Sequence, residues 1–206
     1  MIRPGARRDL AAVMAVWLAG LVVSGIAPYD RATWWLEVAP VLIAAPLLLA
    51  TRQRFPFTTL AYVLICIHGL ILMLGAMYTY AMVPAGNWVQ EWLGLARNPY
   101  DRFGHFAQGF IPAIIAREIL TRTFRLAPGG FLFFVVVCIA LALSACYEMI
   151  EWWTALALGQ GADHFLGTQG DEWDTQWDMF LALVGAVVSQ GLFSRLHDRE
   201  IRALRR

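Results

Sequence analysis

The chain has 206 residues, 59% of them hydrophobic and 15% charged, with a formal net charge of +1. About a quarter of the residues in an ordinary soluble domain are charged, so this composition excludes that class. The near-neutral balance also gives no electrostatic footprint for nucleic acid.

Apolar runs able to cross a bilayer, about 20 residues each, fall at roughly 10–27, 33–50, 57–83, 102–122, 130–156 and 173–194. They predict an all-α integral membrane protein: six transmembrane helices in one bundle, forming a single domain over residues 1–206. Arg3, Arg7 and Arg8 precede the first span and "SGIAP" follows it. That pattern imitates a secretory signal, but the apolar run is long for a signal core, and the helix is expected to be retained. The turn "APYDRAT" leads to the second span, where Glu37 reads as an interfacial ion-pairing residue. "TRQRFPF" leads to the third, whose His68 in "LICIHGLIL" reads as an interhelical hydrogen bonder.

Residues 84–101, "PAGNWVQEWLGLARNPYD", place Trp88, Trp92 and Leu95 at helical spacing among polar residues. A short helix lying in the membrane interface is predicted in this loop between the third and fourth spans. The fourth span opens "YDRFGHFAQG", with Asp101, His105 and Gln108 on one face; near its other end, Arg117 and Glu118 read as interfacial pairing or snorkelling. The fifth span follows the turn "RLAPGG" and ends "SACYEMIEWW", aligning Ser144, Tyr147 or Glu148, and Glu151. A second long loop, carrying Asp163 and His164, leads into "GDEWDTQWDM". There Asp171 and Glu172 are expected to be solvated, while Asp174 and Asp178 face inward one turn apart. Gly104, Gly109, Ser144 and Gly185 permit close helix approach. Cys66, Cys138 and Cys146 all fall within spans and read as packing residues.

All sixteen basic residues are arginine. Thirteen fall at one set of loops and termini, and only Arg31, Arg97 and Arg102 at the other, so both termini are expected in the cytoplasm of a bacterial inner-membrane protein. Eight tryptophans, all except Trp17, then sit at the outer ends of the spans, as an interfacial belt requires.

An ionisable side chain in a bilayer costs roughly 2.5 to 3.5 kcal/mol on the lenient insertion scale. Three spans here carry such groups to one depth near the outer surface. His105, Glu148, Asp174 and Asp178 form a ligand set for a divalent metal: zinc, manganese, magnesium or calcium. Glu151 is placed as catalytic general base, and Asp101, Arg102, Gln108 and Tyr147 as further pocket residues. The expected function is metal-dependent hydrolysis or transfer on a lipid or cell-envelope substrate, with membrane lipids as surroundings. A non-catalytic binder of lipid, ion or envelope precursor is the alternative. Proton-coupled transport stands third, because polar residues are sparse in the inner half and no repeat is visible.

The stretches "RNPYDRFGHFAQGFIPAIIAREIL", "SACYEMIEWW" and "LGTQGDEWDTQWDMFLALVGA", with "YDRATWWLEVAP" and "HGLILMLGAMYTYA", make the chain resemble the YjdF-type family of bacterial inner-membrane proteins. The resemblance covers nearly the whole length and implies a multi-pass inner-membrane protein. More distantly, the order D-R-x-x-H-F, E-x-x-E, D-x-x-x-D resembles VanZ-like membrane proteins, linked to glycopeptide-antibiotic tolerance. That resemblance points to Asp101, Arg102, His105, Glu148, Asp174 and Asp178. The asparagine and glycine expected after the last acid appear here as Leu181 and Gly185.

Overall fold

The computed structural model describes residues 4–158 and 168–204, and these form seven α-helices. They are α1 (Pro4–Ile26), α2 (Arg31–Thr51), α3 (Thr59–Tyr78), α4 (Pro84–Leu93), α5 (Tyr100–Arg122), α6 (Gly130–Leu158) and α7 (Asp174–Leu204). Helices suit so apolar a chain because each satisfies its backbone hydrogen bonds internally. The ends are set by local chemistry. Asp30 caps α2 by accepting from the Thr33 N–H at 2.7 Å, and Thr58 caps α3 by accepting from Ala61 at 3.2 Å. α3 stops five residues before its expected end, because Thr79 and Tyr80 take positive φ and fold the Tyr80 ring back over Gly75. α7 runs ten residues beyond its expected end, since His197 and Ile201 bury its last turns.

Five helices, α1, α2, α3, α6 and α7, are long and apolar enough to cross a membrane. The fourth expected span, α5, has the length, with 23 residues, but Asp101, Arg102, His105, Arg117, Glu118 and Arg122 remove its apolar character. Its surroundings explain how such a helix is tolerated. α1, α2 and α3 pack as one group and α5, α6 and α7 as another, and the two groups meet along α3 and α5. α5 is enclosed by α3, α6 and most extensively α7.

The closeness of α5 and α7 depends on glycine. A Cβ on Gly109 would overlap the Ala182 carbonyl, and one on Gly185 would overlap the Phe106 carbonyl. α2 packs on α3 and α1 but has no extensive packing against α5 or α6. Space is therefore left between α2 and the second group.

α4 turns Trp88 and Trp92 outward and ends at Gly94, in the left-handed region. Asn98 fastens it by donating to the Val83 carbonyl at 3.0 Å and to Asn87 at 2.7 Å. Trp35, Trp88, Trp92, Trp152, Trp153, Trp173 and Trp177 are exposed, as a belt requires. Trp34 departs from that expectation: it is buried and donates to Ser24 at 3.1 Å. The three cysteines are free thiols.

Candidate functional site

The first turns of α5 and α7 and the last turns of α6 bring the expected acids around one imidazole. The His105 Nδ1 lies 2.9 Å from the Gln108 amide oxygen. That oxygen only accepts, so Nδ1 carries the proton and Nε2 keeps a lone pair. Nε2 faces Asp101 Oδ1 at 3.7 Å and Asp178 Oδ2 at 3.8 Å. These separations are too long for hydrogen bonds. The other Asp178 oxygen, Oδ1, is buried with no hydrogen-bond partner.

On the opposite edge of the ring, Glu148 Oε1 stands 3.7 Å from Nδ1 and makes no hydrogen bond. Two sets of ligand-type atoms thus share His105: Asp101, His105 and Asp178 on one side, and His105, Glu148 and Glu151 on the other, each within a 4.8 Å span. Since the Gln108 bond occupies Nδ1, only the first set has a free imidazole lone pair.

The structure distributes the expected ligands differently from the sequence. Asp174 is buried against Arg97 in an ion pair, and its place beside His105 is taken by Asp101. Arg97 also donates to Asp101 Oδ2 at 3.1 Å. Glu148 belongs to the Nδ1 side with Glu151. Arg102 points away from the imidazole, donating to Asp171 Oδ2 at 2.6 Å and lying over the Trp177 ring at 5.3 Å. Asp171, expected in solvent, is half-buried by this contact and by Arg97 at 3.7 Å. Asn98 and Gln169 exchange hydrogen bonds at 2.9 and 3.1 Å, which ties the segment before α7 to the start of α5. Asp163 and His164 lie outside the described residues.

A cavity of about 210 Å³ opens beside this cluster between α2, α3, α5 and α6; Asp101, His105, Gln108, Tyr147 and Glu151 line it. Glu37 lines it too. Expected at the interface, it is instead buried and accepts from the Tyr147 hydroxyl at 3.2 Å. Tyr80, in the connection after α3, also reaches the cavity; burial pushes its phenol well above the ordinary value, and nearby Glu37 adds to this. It therefore remains a neutral hydroxyl. His68 lines the deep end, and its Nε2 has no hydrogen-bond partner, contrary to the interhelical bond expected of it. Pro40 and Pro112 line the same cavity, and each lacks the N–H that would satisfy the carbonyl one turn earlier.

A second polar cluster lies at the other end of α5 and is fully satisfied. Glu118 accepts from the Thr58 N–H at 3.0 Å, from its hydroxyl at 2.7 Å and from Arg122. Arg117 donates to His197 Nδ1 at 3.3 Å, so His197 Nε2–H donates to Glu118 at 3.0 Å. Arg117 also pairs with Asp198 at 2.8 Å. This is a buried pin joining α3, α5 and α7, where interfacial pairing had been expected.

Arg97, Asn98, Glu37 and Tyr80 were not anticipated as site residues. Sequence signals exist for two of them: Arg97 and Asp101 are four residues apart, the spacing of a helical ion pair, and Glu37 is the lone acid of an apolar helix.

The family model described as "Predicted membrane protein (DUF2238)" matches residues 10–199. "Inner membrane protein YjdF" of Escherichia coli (strain K12) is 57% identical over 182 residues, 88% of this chain and 87% of that protein. The more distant VanZ-like resemblance is not supported by these comparisons. No solved structure matches. The chain is a multi-pass inner-membrane protein and belongs to the membrane-protein family that the DUF2238 model describes.

Proposed function

We propose that this protein binds one divalent metal ion through His105 Nε2, Asp101 and Asp178, and uses it for hydrolysis or group transfer on a lipid or cell-envelope substrate. One observation carries the reading. A lone-pair nitrogen faces two carboxylates at 3.7 and 3.8 Å, three acceptors with no hydrogen bond among them, in a buried place where unpaired acceptors are costly. Two ligands about 2.1 Å from a metal at a tetrahedral angle stand about 3.4 Å apart, so little movement is needed. One imidazole with two carboxylates suits zinc or manganese better than magnesium or calcium.

When bound, such a metal polarises a carbonyl or phosphoryl oxygen, or lowers the pKa of a bound water. The chain's own residues supply the rest. Gln108 fixes the imidazole tautomer, Arg97 holds Asp101 in place, and Glu151, on the wall of the same cavity, takes a proton.

In this reading α5 is a sixth span, shielded from lipid by α3, α6 and α7, and α4 lies in the interface over the outer face. The arginine distribution puts both termini in the cytoplasm. Transport fits less well, because α5 between Gln108 and Arg117 carries only Gly109, Phe110, Ile111, Pro112, Ala113, Ile114, Ile115 and Ala116. The reading of a non-catalytic binder draws on Arg97, which ties two of the acids in ion pairs.

The test is turnover. Purified protein loaded with zinc or manganese is incubated with an inner-membrane lipid extract and lipid-linked envelope precursors, and products are followed by mass spectrometry. Product formation that stops with a chelator and in Glu151→Gln is expected. Metal-bound protein that forms no product from any of these would favour the binder.

A further inference from the structure

A second cavity, of about 400 Å³, runs between α1, α2, α3 and α5, walled by Trp17, Val41, Leu48, Ile65, Ile115 and Ile119 among others. Its wall is almost wholly apolar. It shares Pro40, His68 and Leu72 with the polar cavity beside His105, so the two spaces meet at His68. Along α2 it extends from Pro40 to Thr51, about 16 Å at the helical rise, roughly half of a hydrocarbon core about 30 Å thick. That is the length of one lipid chain in one leaflet. With its volume, this length gives a mean width of about 5 Å, enough for one chain, since packed carbons stand about 4 Å apart.

The space follows from the fold, because α2 leans on α3 and leaves α5 uncovered on that side. At the junction, the buried His68 Nε2 has no hydrogen-bond partner. A polar atom where an apolar channel meets an acidic pocket is suited to the oxygen linking a head to a chain.

We infer that the apolar cavity holds the hydrocarbon chain of a single-chain amphiphile, with its linking oxygen at His68 and its polar head in the cavity beside His105. This rests on the proposed metal site only for the head; the chain site stands on its own walls. The substrate class is then a lipid that presents one chain to the protein, whether acyl or prenyl.

The probe is a lysophosphatidylglycerol with a diazirine in its acyl chain, added to the full-length protein in liposomes, photolysed and mapped by peptide mass spectrometry. The expected label falls on Val41, Ala44, Leu48, Ile65 and Ile115. It is lost, by about tenfold or more, in Ala44→Phe, which fills the cavity. Asp178→Asn, which removes the metal, lowers the yield of label by loosening the head but leaves it on the same chain-site residues, so failure of the metal reading and failure of this one are separable. If Ala44→Phe does not fold, Ile115→Phe replaces it. Label confined to the exposed outer faces at Val22, Val23, Phe131 and Phe134 would mean annular lipid only and would overturn the inference.

Discussion

His105 Nε2 and Asp178 Oδ2 stand 3.8 Å apart, too far for a hydrogen bond between them. His197, the other buried histidine of the α5–α7 pair, uses both ring nitrogens, one toward Arg117 and one toward Glu118. The same residue type is thus fully satisfied at one end of the bundle and half-satisfied at the other. A structural histidine has its partners within the fold; His105 has an open nitrogen aimed at two carboxylates.

Gln108 sets which nitrogen is open, so it is a positioning residue. Gln108→Ala should weaken metal binding by about 10- to 100-fold, and Gln108→Glu, whose carboxylate also accepts from Nδ1–H, should retain most of it. A competition titration against a fluorescent chelator reads both. Equal affinities for parent and Gln108→Ala would mean that the tautomer is fixed by something else.

Arg97 holds Asp101 and Asp174 together in a buried place. Removing one partner of a buried pair costs about 3 to 5 kcal/mol, so Arg97→Met should lower unfolding stability by that order. Adding Asp174→Asn should recover part of the loss, because it removes a charge left unpaired. Equilibrium unfolding of the parent, the two single variants and the double variant in one detergent gives the coupling.

At the far end, Glu118→Ala leaves His197, Arg122 and Thr58 without their shared acceptor. The loss of stability should be similar, about 3 to 5 kcal/mol. Metal stoichiometry should stay at the parent value, since Glu118 lies about 20 Å along α5 from His105. Metal loss in a folded Glu118→Ala protein would show that the two clusters act as one.

Gly185→Val tests the packing that brings α5 to α7. Its Cβ would meet the Phe106 carbonyl and the Phe110 N–H, forcing the helices apart and moving Asp178 away from His105. Overpacking costs about 1 to 3 kcal/mol, and metal binding should fall with stability. Gly191→Ala, where an added Cβ meets nothing within 4 Å, should gain up to about 1 kcal/mol in the same helix.

The helices, and the face of α5 that carries Asp101, His105 and Gln108, were legible because apolar length and i, i+4 spacing are local properties. The partner of each acid was not. Asp174 and Asp101 carry the same chemistry in the sequence, and only the loop bearing Arg97 decides which faces His105. Glu37 looked interfacial from its place near the start of α2, but the cavity between α2 and α6 draws it inward to Tyr147. α5 shows the same limit from the other direction: its composition falls short of a span, and its enclosure by α3, α6 and α7 is a tertiary fact. The Trp34 indole left the expected belt for the same reason, finding Ser24 on the neighbouring helix.

The most direct measurement is the metal content of purified protein, determined by elemental mass spectrometry after exposure to zinc or manganese without chelators and removal of free ion. One metal per chain is expected in the parent, with loss of it in His105→Ala and Asp178→Asn while Glu118→Ala keeps it. A parent protein that retains no more metal than Asp178→Asn would contradict it, and would leave the facing acceptors to share protons instead.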